Sequence, residues 1–185
     1  MGFAIAETCA QQGANVILIT GPVNLAPIHP NIKLIRIQTA KQMFEACKMH
    51  FPACDSAILS AAVADFSPET TFTDKVKRAK DTWRINLEPT TDIARELGSM
   101  KKNNQVLAGF ALETENELEN AKLKLRKKNF DFIVLNSLKD DGAGFGTDTN
   151  KITIIDKDNN IDNFELKSKT EVSEDIVEKL TAMMK

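Results

Sequence analysis

The run Ala57-Ile58-Leu59-Ser60-Ala61-Ala62-Val63 constrains this chain more than any other stretch, because it is apolar without alternating and is bounded by polar residues. A strand with one solvated face alternates. A strand that does not alternate must be covered on both faces, which calls for helices on each side of a mainly parallel sheet. The run breaks at Ala64-Asp65-Phe66-Ser67-Pro68, setting one carboxylate just past the strand's carboxyl end, where open α/β sheets bind ligands. The two alanines at this strand end, Ala61 and Ala62, matter because a small side chain lets another molecule lie close to the backbone. Lys75, ten residues beyond Asp65, opens the basic run Lys75-Val76-Lys77-Arg78. A small-residue strand end, an acid and a basic run suggest a polyanion site, with Asp65 as a ligand for nucleotide or magnesium. The plainer role of Asp65 is that of a turn or N-cap residue.

The rest of the chain supplies the helices and further strands. Met1 to Gly13 has helical spacing, with Phe3, Ala6, Cys9 and Ala10 as its apolar stripe. NVILIT (residues 15–20) and residues 31–38 read as strands, and Thr39 caps a helix to about Phe51. After the run at 57–63, residues 75–80 and 82–87 read as two short β segments around Lys80-Asp81, a protruding hairpin arm. Pro89-Thr90-Thr91-Asp92 offers a helix start, QVLAGFAL (105–112) a buried strand, and residues 115–129 a charged helix with Leu118, Ala121 and Leu125 inward. FDFIVLN (130–136) is a core strand, and the pair 151–156 and 161–167 forms an antiparallel edge hairpin before a closing helix. The expected architecture is α/β: a Rossmann-like three-layer αβα arrangement with a mainly parallel sheet, in one domain spanning residues 1–185, with its arm at about 72–88. It opens unusually, on a helix rather than a strand and glycine-rich turn.

A net charge of -2 over 185 residues exerts no global pull on nucleic acid or membranes, so any anion site has to be built locally. No apolar run is long enough to span a bilayer and no leader pattern is present, which predicts a cytoplasmic protein. Cys9, Cys47 and Cys54 read as reduced core thiols, and His50 with Cys54 makes a poor metal set.

Other candidates have two readings each. Lys124 and Lys128 lie one turn apart on the charged helix and can bracket a triphosphate; the alternative is a solvated face with i,i+4 pairs. Phe110 is either a core aromatic or a wall against a base. Gly142, Gly144 and Gly146 around Phe145 match no phosphate-loop spacing and read as a mobile loop closing over a site. Trp83 is either a partner contact or a packed aromatic.

Several stretches carry a family resemblance: MGFAIAE, ANVILITGPV, SAAVADFSPE, DKVKR, GFALETEN and KLRKKNFDFIVLN. In this order, over nearly the whole chain, they resemble the phosphopantothenate–cysteine ligase domain of coenzyme A biosynthesis, in its bacterial, CTP-dependent type. The resemblance implies that 4'-phosphopantothenate is activated by CTP with Mg²⁺ to an acyl-cytidylate, which L-cysteine converts to 4'-phosphopantothenoylcysteine. By motif position it implies Lys75 as the catalytic lysine and Lys75, Lys124 and Lys128 as holders of the triphosphate. Ser60, Ala61 and Asp65 would hold nucleotide with Phe110 beside it, and Thr91, Asp92 and Ile93 occupy the place where the family contacts CTP. Thr90-Thr91-Asp92 stands where Asn-Pro-Asp is usual. The resemblance also implies a homodimer in which one subunit's arm completes the other's site, and a decarboxylase as possible partner. It gives no reason to expect FMN. Family members carry a strand and an Asn-x-Ser-Ser-Gly-Lys segment before the position of Met1, so a sheet edge left unpaired is expected here. Two other readings remain open: a nucleotide-binding module without catalysis, and an NAD dehydrogenase, against which the missing glycine fingerprint argues.

Overall fold

The computed structural model describes residues 1–77, 82–113, 115–137 and 147–184. Helix α1 (Gly2–Gln11) has Met1 as N-cap without a side-chain cap bond, and buries Ile5, Ala6, Thr8 and Ala10. Phe3 and Cys9 of the expected stripe are only half-buried. Gly13 then turns the chain at φ 93, a backbone angle that a side chain would strain. Strands β1 (Val16–Thr20) and β2 (Ile32–Arg36) pair in parallel, Val16 opposite Ile32 through Thr20 opposite Arg36. Their connection is pinned at both ends: the Arg36 guanidinium donates to the carbonyls of Val23 and Leu25, each at 2.7 Å, and Glu7 accepts from the amides of Ile28 and His29.

Helix α2 (Ala40–His50) starts in a capping box between Thr39 and Gln42, which satisfies two amides that a helix start leaves without partners. Strand β3 (Ser56–Leu59) follows a short 3₁₀ turn at Phe51–Ala53. The chain continues through β4 (Phe66–Pro68), β5 (Leu87–Pro89), α3 (Ile93–Met100), β6 (Val106–Glu113), α4 (Glu117–Lys127) and β7 (Phe132–Ser137). It closes with β8 (Thr149–Asn150), β9 (Ile152–Asp156), β10 (Ile161–Asn163), β11 (Lys167–Ser168) and α5 (Lys169–Met183).

The main sheet has the order β10-β9-β7-β6-β3; β3, β6 and β7 run parallel, and β9 and β10 add the antiparallel edge. β7 shows why both faces need covering: Phe132 and Val134 enter the core against α5, while Ile133 and Leu135 enter the core with Ile93, Leu97, Ala121 and Leu125 of α3 and α4. Each large apolar side chain so buried stabilises by about 1.5–3 kcal/mol. The result is a three-layer α/β arrangement.

Three expectations are corrected. The strand read over 57–63 is Ser56–Leu59, half-buried rather than fully covered, and it lies at the edge of the five-stranded sheet. Among the described residues β3 pairs only with β6 and β1 only with β2, although Ile19, Ala57 and Leu59 all pack into one core. The sheet is therefore interrupted between two parallel ladders. The arm is not built from 75–80 and 82–87: its ladder is β4 with β5, Phe66 opposite Pro89, and residues 69–77 and 82–86 carry no strand. Lys80-Asp81 lies outside the described residues, as do Arg78 and the glycine loop at 142–146. Leu118 of α4 is 43% exposed and does not face inward.

Candidate functional site

Leu59 ends β3, and the chain leaves the sheet through Ser60 to Asp65 at its carboxyl edge. Ser60 is half-buried beneath the first turn of α1: a Cβ on Gly2 would stand 2.9 Å from its hydroxyl oxygen, so a larger residue there would make that hydroxyl turn aside. Ala61 is exposed. Asp65 is exposed, and its carboxylate makes no hydrogen bond with a described residue. Thr90 ties the lead-in of α3 to this exit: its hydroxyl donates to the Ala64 carbonyl at 2.6 Å and its amide to the Asp65 carbonyl at 2.9 Å. Sequence reasoning passed over Thr90, because one hydroxyl in a polar lead-in has no periodic signal.

Asp92 caps α3 by accepting from the Arg95 amide at 3.1 Å, and its other oxygen receives the Lys128 ammonium. Burial works to raise the Asp92 carboxyl, but the bonds from Lys128 and Arg95 outweigh it and hold the group below the ordinary carboxylate range. Two residues read separately from the sequence thus form one ion pair. Ile93 anchors the helix start in the core and Thr91 is exposed beside it. Lys124, one turn before Lys128, is half-buried, and its ammonium makes no bond to a described residue.

The close packing of α3 on α4 sets this pair. A Cβ on Gly98 would stand 2.0 Å from the Lys128 carbonyl oxygen, and the Asn129 side-chain amide donates to the Gly98 carbonyl at 2.8 Å.

Two candidates stand apart. Phe110 packs with the α1 and α5 core, on the opposite face of the sheet from α4. Lys75 is exposed, lies in no regular element and makes no bond to a described residue. Among the described residues no group of three or more His, Cys, Asp and Glu side chains could hold a metal ion, and no helix is long and apolar enough to cross a membrane. The exit of β3 and the α3–α4 junction offer an exposed carboxylate and two lysines one turn apart at the end of α4, with Lys75 in a separate segment. That set suits a phosphorylated ligand more than a redox cofactor.

Comparison with known proteins places these features in context. The family model described as the DNA/pantothenate metabolism flavoprotein C-terminal domain matches residues 1–184. A protein named cysteine/cysteine sulfinic acid decarboxylase, from an unknown prokaryotic organism, is 56% identical over 184 residues, covering 100% of this chain and 51% of its own length. The coenzyme A biosynthesis bifunctional protein CoaBC of Bacillus subtilis (strain 168) is 44% identical over 185 residues, covering 100% of this chain and 45% of its own. The chain thus spans about half the length of the curated relatives it matches. A crystal structure of the C-terminal domain of CoaBC superposes with a TM-score of 0.82 at 35% identity, over 98% of this chain and 81% of that one.

Proposed function

Because the chain belongs to the DNA/pantothenate metabolism flavoprotein C-terminal domain family, we propose that it performs the ligase step joining 4'-phosphopantothenate to L-cysteine at the expense of CTP. The carboxylate oxygen of phosphopantothenate attacks the α-phosphorus of CTP, the bond to the β-phosphate breaks, and pyrophosphate leaves. The cysteine nitrogen then attacks the acyl carbon of the cytidylate, loses a proton, and CMP departs with the phosphate oxygen. Charge builds on phosphate in the first step, so Lys75, Lys124 and Lys128 stabilise it and Ser60, Ala61, Asp65 and the start of α3 at Thr91–Ile93 seat the nucleotide. The observation that carries this reading is the convergence of the Asp65 exit, the α3 cap and the Lys128 ammonium through Thr90 and Asp92.

Magnesium fits as a substrate-borne ion: it is commonly held by substrate phosphates and one or two carboxylates, and Asp65 offers one without a competing bond. Held there it would neutralise triphosphate charge. Phe110, from the other face of the sheet, reaches nucleotide only near the strand end. The apolar arm residues Phe72, Trp83 and Ile85, each about 60% exposed, suit burial against a second copy of the chain, which makes a homodimer part of the proposal. A decarboxylase partner and a cytoplasmic setting accompany the coenzyme A reading.

The test is formation of 4'-phosphopantothenoylcysteine from its two precursors, read by mass spectrometry, with CTP and ATP compared. Product with CTP supports the proposal; product with neither nucleotide contradicts it. A second reading rests on the relative named for decarboxylating cysteine and cysteine sulfinic acid. Carbon dioxide release from either amino acid by this chain, without nucleotide, would favour it.

A further inference from the structure

A cavity of about 420 Å³ lies at the opposite edge of the sheet, where β6 and β7 begin, between the ends of α3 and α4 and the turn after β9. Four cations line it, Lys101, Lys102, Arg126 and Lys157, with Asp131 as the lining's one acid. Asp131 is buried and fixed. Its carboxylate accepts the Leu107 amide at 2.8 Å and the ammonium groups of Lys101 at 2.9 Å and Lys157 at 3.3 Å. Lys101 also donates to the Asn129 carbonyl, and Lys102 donates to the Pro52 carbonyl at 2.8 Å. The Arg126 side chain is exposed and its guanidinium makes no bond to a described residue. One carboxylate among four cations leaves three positive charges uncompensated in a polar hollow, on a chain whose net charge is -2.

Cations at helix carboxyl ends ordinarily complement the helix dipole, and this accounts for Arg126 on the last turn of α4. It does not account for Lys157, which follows β9 and ends no helix. Its side chain is 57% exposed, and it is held at the cavity wall by the same Asp131 that holds Lys101.

We propose that this cavity binds a free diphosphate anion, at a site separate from the carboxyl edge where Asp65 and Asp92 lie. A guanidinium supplies a planar fork for phosphate oxygens and the lysines supply mobile charges, while the volume admits a diphosphate with its water. The site does not depend on the ligase reading.

The probe is inorganic pyrophosphate, titrated into the whole chain at low salt by calorimetry and by amide chemical shifts. Binding is expected with shifts concentrated at Asn103, Asn129 and Lys157. Arg126→Gln with Lys157→Gln should raise the dissociation constant about tenfold or more, as losing charge-assisted contacts implies. Because pyrophosphate is also the product released at the carboxyl edge, the cavity is read by its own shifts: Lys75→Ala and Lys124→Ala should leave those at Asn103, Asn129 and Lys157 unchanged. If the double variant fails to fold, Arg126→Gln alone carries the test, since its side chain is exposed and makes no bond to a described residue. Absence of shifts at Asn103, Asn129 and Lys157 in the wild type, unchanged shifts there in the Arg126 and Lys157 variants, or their loss in Lys75→Ala overturns the proposal.

Discussion

Lys75 and Lys127 are both exposed lysines whose ammonium groups make no bond to a described residue, yet only Lys75 has a place at the triphosphate. Lys75→Ala should lower kcat/KM for CTP by about a hundredfold, the scale of losing a group that meets charge developing in the transition state. Lys127→Ala should change it less than twofold, and equal effects in a pyrophosphate-release assay would remove Lys75 from the site. Asp92 permits a finer separation. Asp92→Asn keeps the cap on α3 and removes the ion pair, whereas Asp92→Ala removes both. The loss of a cap costs about 0.5–2 kcal/mol, and the partly exposed ion pair adds less. Urea midpoints should therefore fall clearly for Asp92→Ala and little for Asp92→Asn. Asp156 carries a pH dependence. Burial works to raise its carboxyl, but bonds from Asn160 and Lys179 together hold it below its ordinary value of 3.8. A carboxyl lowered in the folded state contributes stability that is fully present above that value and is lost as pH falls through the folded one. Asp156→Asn should lose less stability than the wild type between neutral pH and pH about 3, measured by urea unfolding.

At the scale of elements, the junction of α3 with α4 depends on Gly98. Glycine inside a helix ordinarily costs about 1 kcal/mol relative to alanine. Here alanine would set its Cβ 2.0 Å from the Lys128 backbone oxygen. Gly98→Ala should thus destabilise by about 1–3 kcal/mol, the usual range for overpacking, and move Lys128 away from Asp92. A rise in thermal midpoint would contradict this packing. The elements themselves were legible wherever local chemistry decides them: Thr39 and Gln42 announce α2, and the apolar run through Phe132 to Leu135 announces β7. The misreadings arose where a distant partner decides. Residues 60–63 are as apolar as a strand, but no neighbouring strand pairs with them. The arm's ladder forms at Phe66–Pro68 because Leu87–Pro89 returns beside it, a pairing absent from local composition. At the site, Asp65, Lys124 and Lys128 could be singled out by spacing. The Thr90 tether and the Asp92–Lys128 pair could not, since they join residues 26 and 36 positions apart.

The described residues form a three-layer α/β arrangement whose sheet is interrupted between β1 and β3. Amides of β6 and β7, which lie between neighbouring strands and carry mostly buried residues, should exchange with solvent most slowly, and those of β1 and β3 faster, because each has a ladder on one side. Equal protection throughout would mean that the two ladders open as a single unit. The central claim is that the carboxyl edge of this sheet activates a carboxylate with CTP. The most direct measurement is pyrophosphate release by the chain with CTP and Mg²⁺, with and without 4'-phosphopantothenate and with and without cysteine. The account predicts release that requires phosphopantothenate, followed by CMP release that requires cysteine. Absence of pyrophosphate release under all of these conditions would contradict it.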